Sequence, residues 1–273
     1  MHKCYKKLFV LKHNTALHEE LWAQENGNWT KVEKPASMAH TEKPPPKETG
    51  FWHSLKVATE NNKLYLIGGW DTSKNKGVTD VWALDCVKLA DGDNANGAAW
   101  EKHALALKEG IFGPKVCLND NKLAVIQGLK EVNTNNQPVM NFAIQIYDLA
   151  NPNNDPAEVE LDSIYPDQAI CIKGMLYLRY FDNEPERMKI KKINMKDDPI
   201  TLTDVADSTN QQFSMNLLDG KLIQVGFEYD DSHPLGFQID SKFQELSDNG
   251  AWIEKCLPSM NGFPMIATRL PLD

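Results

Sequence analysis

The sequence lacks the long apolar segment that a membrane-spanning helix or a secretory leader requires. The apolar run nearest its start extends only from Leu8 to Leu11. A spanning helix needs about 20 apolar residues, and a leader needs a longer apolar core followed by a small-residue cleavage site. The sequence therefore predicts a cytoplasmic protein that has no membrane partner.

Cysteine is scarce and scattered. None of the five cysteines stands in a Cys-x-x-Cys pair, and they are Cys4, Cys86, Cys117, Cys171 and Cys256. This spacing argues against a zinc ribbon and against a disulfide framework. We expect free thiols that are buried as small apolar groups, as in a protein of a reducing compartment.

Basic residues are also fewer than acidic residues. Lys and Arg number 29 against 38 Asp and Glu, which gives a formal net charge of −9. Nucleic acids are bound through clustered Lys and Arg that neutralise phosphates, so a nucleic acid is not an expected partner. The apolar content of 41% over 273 residues is enough to bury a sizeable core. We also expect the protein to be a monomer.

What the chain has instead is a regular series of short apolar runs bounded by Asn, Asp, Gly and Pro, which predicts strands and turns. In five places a strand and a tight polar turn precede a strand that begins with Lys or Met followed by Leu. These leucines are 46 to 59 residues apart, and they are Leu8, Leu64, Leu123, Leu176 and Leu222. A period near 50 residues with several short strands is typical of a propeller blade.

The second unit, residues 53–103, has the most regular form. An apolar strand ends in Gly68 and Gly69, the strand Asp-Val-Trp-Ala-Leu-Asp follows at 80–85, and Trp100 comes later. Glycines suit a place where the chain bends out of a strand and other backbone approaches closely. These features resemble a kelch repeat, and the resemblance implies a β-propeller, commonly one that binds a partner on one face.

The chain is therefore predicted to be an all-β, five-bladed kelch-like β-propeller that forms one domain over residues 1–273. We label the strands of each four-stranded antiparallel blade a to d from the axis outwards. The blades are predicted at 262–270 with 5–34, at 51–106, at 112–162, at 167–206 and at 211–257. Residues 262–270 are expected to add strand a to N-terminal strands b to d, which would close the ring without an open sheet edge.

The b–c loops and d–a connections share one face of such a ring, and they are longer and richer in polar and aromatic residues than the a–b turns. Function in propellers concentrates in loops of this kind. We expect them to bind a protein segment or a small polar or aromatic ligand. The candidate ligand-binding residues are Trp52, His53, Trp70, Asp71, Tyr165, Arg179, Tyr180, Gln211, Gln212, Phe213, Glu228 and Phe263.

Two of these candidates have a structural alternative. Trp70 follows the glycine pair directly, so it belongs either to the site or to the core. Arg179 stands where other repeats have glycine, and a buried Arg is costly unless an anion meets it. Its partner is therefore either a ligand or a carboxylate of the chain, Asp182 or Glu228.

Three histidines, His13, His53 and His233, are expected on the same rim and could hold Fe or Zn. Their spacing matches no metal motif, so no cofactor is predicted. The sequence contains no Gly-x-Ser-x-Gly elbow and no phosphate-binding glycine loop, and its predicted inner strands lack the paired carboxylates of glycoside hydrolases. A non-catalytic binding protein is favoured, with a metal-assisted or acid–base enzyme and a cytosolic lectin as alternatives.

Overall fold

The predicted all-β class is confirmed by the computed structural model. The structure describes residues 2–4, 7–13, 19–33, 56–71, 74–92, 99–135, 137–161, 164–183, 186–205, 212–218, 220–230, 238–247 and 250–255. The chain divides into two compact units, Met1–Glu160 and Leu161–Asp273. In the ranges just given, no helix has the length and hydropathy that crossing a bilayer requires.

The first sheet of unit 1 is a four-stranded antiparallel meander. Its strands follow chain order and are β1 (His2–Cys4), β2 (Lys7–His13), β3 (Glu19–Glu25) and β4 (Asn28–Lys31). The turn between β3 and β4 is Asn26-Gly27, where φ is 50° and 86°. Asn and Gly tolerate this left-handed conformation at low cost, and it matches the twist of a two-residue hairpin.

The predicted closure by residues 262–270 is not confirmed. The edge of β2 that was assigned to this segment pairs with β1, because Cys4 lies opposite Lys7 and His2 lies opposite Phe9. The N-terminal residues thus supply four strands of this sheet where three were predicted, and residues 262–270 lie outside the described residues. The prediction missed β1 because a three-residue strand is too short to show an alternating pattern.

The second sheet of unit 1 has nine strands. They are β5 (Lys56–Glu60), β6 (Lys63–Ile67), β7 (Trp70–Asp71), β8 (Lys76–Asp85), β9 (Trp100–Ile111), β10 (Lys115–Asn119), β11 (Lys122–Val132), β12 (Pro138–Asp148) and β13 (Ala157–Glu160). The sheet contains two meanders, β5-β6-β8-β9 and β10-β11-β12-β13, with β7 paired to the start of β8. They join where Lys76 of β8 pairs with Glu131 of β11. A short helix, α1 (Cys86–Ala90), follows β8 and is capped by Asp85.

Buried apolar residues pack the first sheet against the β5-β6-β8-β9 meander. The cluster includes Leu21 and Ala23 from β3 and Leu64 and Trp82 from the neighbouring meander. Burial of such side chains is the main favourable contribution to folding. The two sheets are therefore consecutive layers of one core.

A disulfide also links these two sheets. Cys4 of β1 and Cys86 of α1 have their sulfur atoms 2.13 Å apart. The expectation of free thiols is therefore wrong for this pair, and it is also wrong for Cys117 and Cys171, which are disulfide-bonded as well. No local pattern indicates the Cys4–Cys86 bond, because these two cysteines are 82 positions apart in the sequence and come together only through the packing around the two sheets.

Unit 2 contains two four-stranded antiparallel meanders. The first is β14 (Pro166–Ile172), β15 (Met175–Asn183), β16 (Glu186–Asn194) and β17 (Thr203–Asp204); the second is β18 (Gln212–Leu218), β19 (Lys221–Asp230), β20 (Gln238–Leu246) and β21 (Trp252–Lys255). Ile190 and Val205 of the first pack with Met215 and Leu222 of the second. The amide N–H of Met215 also donates to Oε1 of Gln168 at 2.8 Å, so apolar packing and a hydrogen bond together fix this pair.

Candidate functional site

A depression of about 550 Å³ opens in unit 1 where the two meanders of the nine-stranded sheet join. Its walls come from the β7–β8 hairpin, the end of β9 and the β11–β12 hairpin. In blade terms these are two b–c loops and one d–a connection, which are the loop types that the sequence pointed to. We call it the β8–β11 depression, and its lining includes Asp71, Lys74, residues 76–80, Glu109, Gly110, Lys130, Glu131 and Val139.

The glycine pair after β6 creates the bend that starts this region. Gly68 and Gly69 have φ of 70° and 135°, and the amide N–H of Gly69 donates to the carbonyl of Ile111 at 3.0 Å. A Cβ atom on Gly68 would lie 2.2 Å from that carbonyl oxygen. The close approach expected from the kelch resemblance is confirmed, and it brings the end of β9 beside the β7–β8 hairpin.

Two glycines leave bare backbone in the lining, and we call this part of the lining the floor of the depression. Gly77 of β8 and Gly110 of β9 cross so closely that a Cβ on Gly77 would lie 2.4 Å from the carbonyl carbon of Gly110, and a Cβ on Gly110 would lie 2.0 Å from the carbonyl oxygen of Gly77. Only glycine permits such an approach of two backbones. A ligand above this floor therefore meets peptide groups.

The two hairpin loops that form opposite walls are hydrogen-bonded to each other. Nδ2 of Asn75 donates to the carbonyl of Val132 at 3.2 Å, and the N–H of Val132 donates to the carbonyl of Asn75 at 3.2 Å. Asn75 has φ of 52°, a conformation that Asn adopts more readily than most residues. The walls are thus held in place before any ligand arrives.

Most of the charged groups in the lining are neutralised within the chain. Lys74 pairs with Asp71 at 3.2 Å, and Lys130 pairs with Glu109 at 2.5 Å. Asp80 is met at 2.8 Å by Lys102, which is outside the lining. Lys76 and Glu131 are exposed, and neither forms a salt bridge with another described residue.

Trp70 forms the core beneath the depression. Its side chain is 0% exposed, and its ring packs edge-on against Phe112 with the centroids 5.8 Å apart. Leu129 and Val132 complete this cluster. The prediction of Trp70 as a ligand-binding residue is therefore wrong, because no surface of the side chain is open to a ligand.

Among the predicted ligand-binding residues whose side chains are described, Asp71 is the one found in the lining of this depression. It precedes the turn that Lys74 ends, and the N–H of Lys74 donates to Oδ1 of Asp71 at 3.3 Å. The ion pair and this hydrogen bond both shape the turn, so the carboxylate has a structural role beside any contact with a ligand.

In unit 2, Arg179 forms a two-pronged ion pair with Asp167. Nε donates to Oδ1 at 2.9 Å, and the second bond joins Nη2 to Oδ2. Of the two carboxylates predicted as partners, Asp182 instead meets Lys189 at 2.5 Å, and the side chain of Glu228 is not described. Asp167 is on the adjacent strand, where its carboxylate matches the planar fork of a guanidinium.

The other candidates of unit 2 differ in accessibility. Tyr165 is 63% exposed, whereas Tyr180 is 8% exposed and lies in the core. Tyr180 is therefore corrected from a ligand-binding to a core residue. Gln212 and Phe213 lie on β18, and Glu228 lies on β19. The structure describes the backbones of these three residues but not their side chains.

The remaining predictions cannot be compared with the structure. His13 lies on β2, and its side chain is not described. Five residues lie outside the described ranges, and they are Trp52, His53, Gln211, His233 and Phe263. Among the residues that are described, no three His, Cys, Asp or Glu side chains are grouped closely enough to hold a metal ion.

The fold defined by these observations is a succession of four-stranded antiparallel meanders with a charged depression at the b–c loops. Residues 53–89 match the family model of the Kelch motif, which confirms the resemblance seen at residues 53–103. The solved structure described as "Structure of YjhT", a kelch-type β-propeller, is similar with a TM-score of 0.50. The likeness covers 92% of this chain and 83% of that chain at 11% identity, and it shows the fold alone.

A comparison with curated proteins finds no match. The chain therefore carries a Kelch motif at residues 53–89 and is similar in fold to a solved kelch-type β-propeller, while its ligand has to be argued from its own residues.

Sequence reasoning missed the charged lining, above all Lys76, Lys130, Glu109 and Glu131. Its candidates were mainly aromatic residues and amides, with Asp71, Arg179 and Glu228 as the charged members, and none of these four residues was among them. One signal was present, because Gly77 and Gly110 interrupt strands that are otherwise regular, and glycine inside a strand marks a close approach of backbone. The pairing of these two glycines was not visible in sequence, since 32 residues stand between them.

Proposed function

We propose that this chain is a binding propeller that takes a short peptide segment or a small polar ligand in the β8–β11 depression. The observation that carries the proposal is a preformed depression whose two walls are joined by the hydrogen bonds of Asn75 and Val132. Ligand sites are generally concave and largely formed in advance, with a few polar groups that fix orientation. This lining supplies charged side chains above a backbone floor.

We further propose that the meanders of the two units are the blades of a five-bladed propeller. Three sheets and the two halves of the nine-stranded sheet each run in the order a-b-c-d, at the period of the leucine pattern. A high-resolution crystal structure that shows a ring with another number of blades would contradict this assignment. A monomer is expected, and light scattering in solution would measure its mass.

The proposal is tested by filling the depression. Thr79 lines it and is exposed, so Thr79→Trp adds bulk without entering the core. Thr203→Trp on the exposed strand β17 of unit 2 is the matched control. The measurement is saturation-transfer difference NMR with a panel of free amino acids, dipeptides and monosaccharides.

We expect at least one class of the panel to give signals with the unmodified chain and with Thr203→Trp, and to lose them with Thr79→Trp. Signals that survive Thr79→Trp, or a panel without any binder, would contradict the proposal. The monosaccharides cover the lectin alternative, which is supported if they alone bind.

The cytoplasmic location stays a prediction, and the Cys4–Cys86 disulfide weighs against it. Disulfides persist in oxidising compartments and are rare in the cytosol. Mass spectrometry of the alkylated protein from its native source tests this location. A cytoplasmic protein is expected to have Cys4 and Cys86 as reduced thiols.

A further inference from the structure

We infer that the ligand of the β8–β11 depression is a zwitterion, a free amino acid or a short peptide with both termini free. Its carboxylate would meet the ammonium group of Lys76, and its ammonium group would meet the carboxylate of Glu131. This inference rests on the proposed function of the depression. Neither Lys76 nor Glu131 forms an ion pair with another described residue. Together they are suited to recognise a ligand that carries one charge of each sign.

Lys76 and Glu131 face each other across the junction of the two meanders. They are register partners in the pairing of β8 with β11, so their Cβ atoms are about 5 Å apart. Both side chains are exposed and both line the depression. A group bound between or above them is therefore within reach of both charges.

The contrast with the other lining charges supports a role in binding. Asp71 and Glu109 are met by Lys74 and Lys130 at 3.2 Å and 2.5 Å. These pairs neutralise the walls on either side and leave Lys76 and Glu131 to a ligand. Any transient contact between Lys76 and Glu131 is exposed to water, where an ion pair contributes little to stability, so a ligand with both charges can replace it easily.

A ligand with a single charge fits this lining less well. The described residues of the lining contribute four carboxylates and three ammonium groups, and the chain as a whole has a formal charge of −9. An anion at Lys76 would face the carboxylates of Asp71 and Glu131, its two register partners. A cation at Glu131 would face Lys76, whereas a zwitterion satisfies both groups at once.

The size and floor of the depression agree with a small peptide-like ligand. Its volume of about 550 Å³ is within the usual range for small-molecule sites. The floor at Gly77 and Gly110 has no side chain, so the backbone of a ligand can approach peptide groups of the protein. Recognition of free termini in backbone-lined sites is an established way of binding peptides.

The test uses calorimetric titration of the full chain with the tightest-binding free amino acid or dipeptide of the panel. The same compound is titrated as its N-acetyl derivative and as its C-terminal amide. We expect the free form to bind at least tenfold more tightly than either blocked form. Equal affinity of a blocked form would overturn the inference.

Two charge variants then assign each contact. Lys76→Met should abolish the preference for the free carboxylate over the amide but retain the preference for the free amine. Glu131→Gln should do the reverse. Lys88→Met and Glu160→Gln, at exposed positions of α1 and β13, are the matched controls and should retain both preferences.

The outcomes separate this inference from the proposed function. If blocked and free compounds bind equally and Thr79→Trp abolishes both, the depression is a binding site but its ligand is not selected as a zwitterion. If discrimination survives in Lys76→Met and Glu131→Gln, the contacts assigned here are wrong. If no amino acid or dipeptide binds at all, the inference fails, and binding of monosaccharides alone would leave the depression as a site for a neutral ligand.

Discussion

At the scale of single residues, a few glycines fix where strands end and where backbones cross. Gly68 and Gly220 both have φ of 70°, but only Gly68 has backbone where a Cβ would be, with the carbonyl oxygen of Ile111 at 2.2 Å. Alanine substitutions at these two glycines therefore separate the cost of a left-handed backbone conformation from the cost of a steric clash with Ile111. The difference between them is a measure of how tightly β9 is held to the end of β6.

Gly68→Ala is expected to lower the free energy of unfolding by about 3 kcal/mol or more, since something must move to admit the methyl group. Gly220→Ala, with nothing within 4 Å, should lose only about 1 kcal/mol for its backbone conformation. Urea unfolding curves of the two variants measure both losses. Similar losses would show that the contact with Ile111 is looser than described.

His103 is a residue whose protonation opposes folding. Burial, followed by the nearby charge of Lys63, lowers the pKa of its imidazole below 6.5. The N–H of Leu105 donates to its Nδ1 at 3.0 Å, and protonation of that nitrogen would remove the acceptor. The neutral ring is therefore the form that suits the folded state.

The resulting pH dependence has a definite sign. The folded-state pKa is below the unfolded value, so the contribution of His103 is present above pH 6.5 and is lost as the pH falls through the folded-state pKa. Because the ring is partly exposed, the slope should stay well below the one-proton limit of about 1.4 kcal/mol per pH unit. His103→Gln should flatten the curve of unfolding free energy between about pH 7 and pH 5; an unchanged slope would refute this assignment.

At the scale of strands, a buried hydrogen-bond network connects β9, β12 and β13. The hydroxyl of Tyr147 donates to Oε1 of Gln145 at 2.8 Å and accepts from the N–H of Lys108 at 2.9 Å. Nε2 of Gln145 and Nζ of Lys108 both donate to the carboxylate of Glu158. Burial raises the pKa of Tyr147 to about 12, so its hydroxyl keeps the proton that it donates.

Tyr147→Phe is expected to lower the free energy of unfolding by about 1 to 2 kcal/mol, because the N–H of Lys108 and the amide of Gln145 each lose a partner in a buried place. Tyr177→Phe is the control. Burial also raises the pKa of Tyr177, but its hydroxyl has no hydrogen bond to any described residue. Thermal unfolding of both variants measures their loss of stability. Equal losses in the two variants would argue against a stabilising role for the network.

The disulfide between Cys4 and Cys86 attaches the short strand β1 to the next sheet. Closing a loop of 82 residues restricts the unfolded chain, and the chain-entropy model gives a stabilisation of about 4 kcal/mol for this length. Cys4→Ala, Cys86→Ala and the double variant should lose nearly the same amount in non-reducing urea titrations, since each removes the same bond. Additive losses in the double variant would mean that the bond is not formed in solution.

At the scale of the whole molecule, the sequence predicted the strands well because alternation and turn residues are local. The turns at Asn61-Asn62 and at Asp120-Asn121 have the positive φ values that Asn and Asp tolerate. Trp82 and Trp100 pack between sheets, whereas Trp29 is 45% exposed. The period of a repeat shows which positions are equivalent, but it does not show whether a neighbouring sheet buries the residue at each of them.

The candidate site was predictable only as a class of loop. The b–c loops were identified from their length and composition, and Asp71 among them lines the depression. Its charged residues come from strands that are adjacent only after folding, as Lys76 and Glu131 are. Long-range pairing of this kind leaves no local pattern, and for the same reason Asp167 was not among the partners considered for Arg179.

Amide chemical shift mapping shows whether ligands bind in the β8–β11 depression. A two-dimensional ¹H–¹⁵N spectrum of the full chain would be recorded during titration with the strongest binder of the panel. If the depression is the binding site, we expect the largest shift changes within residues 74–80, 109–111 and 130–139. Changes that cluster instead around Tyr165 and Arg179 in unit 2, or that are absent from the depression, would contradict it.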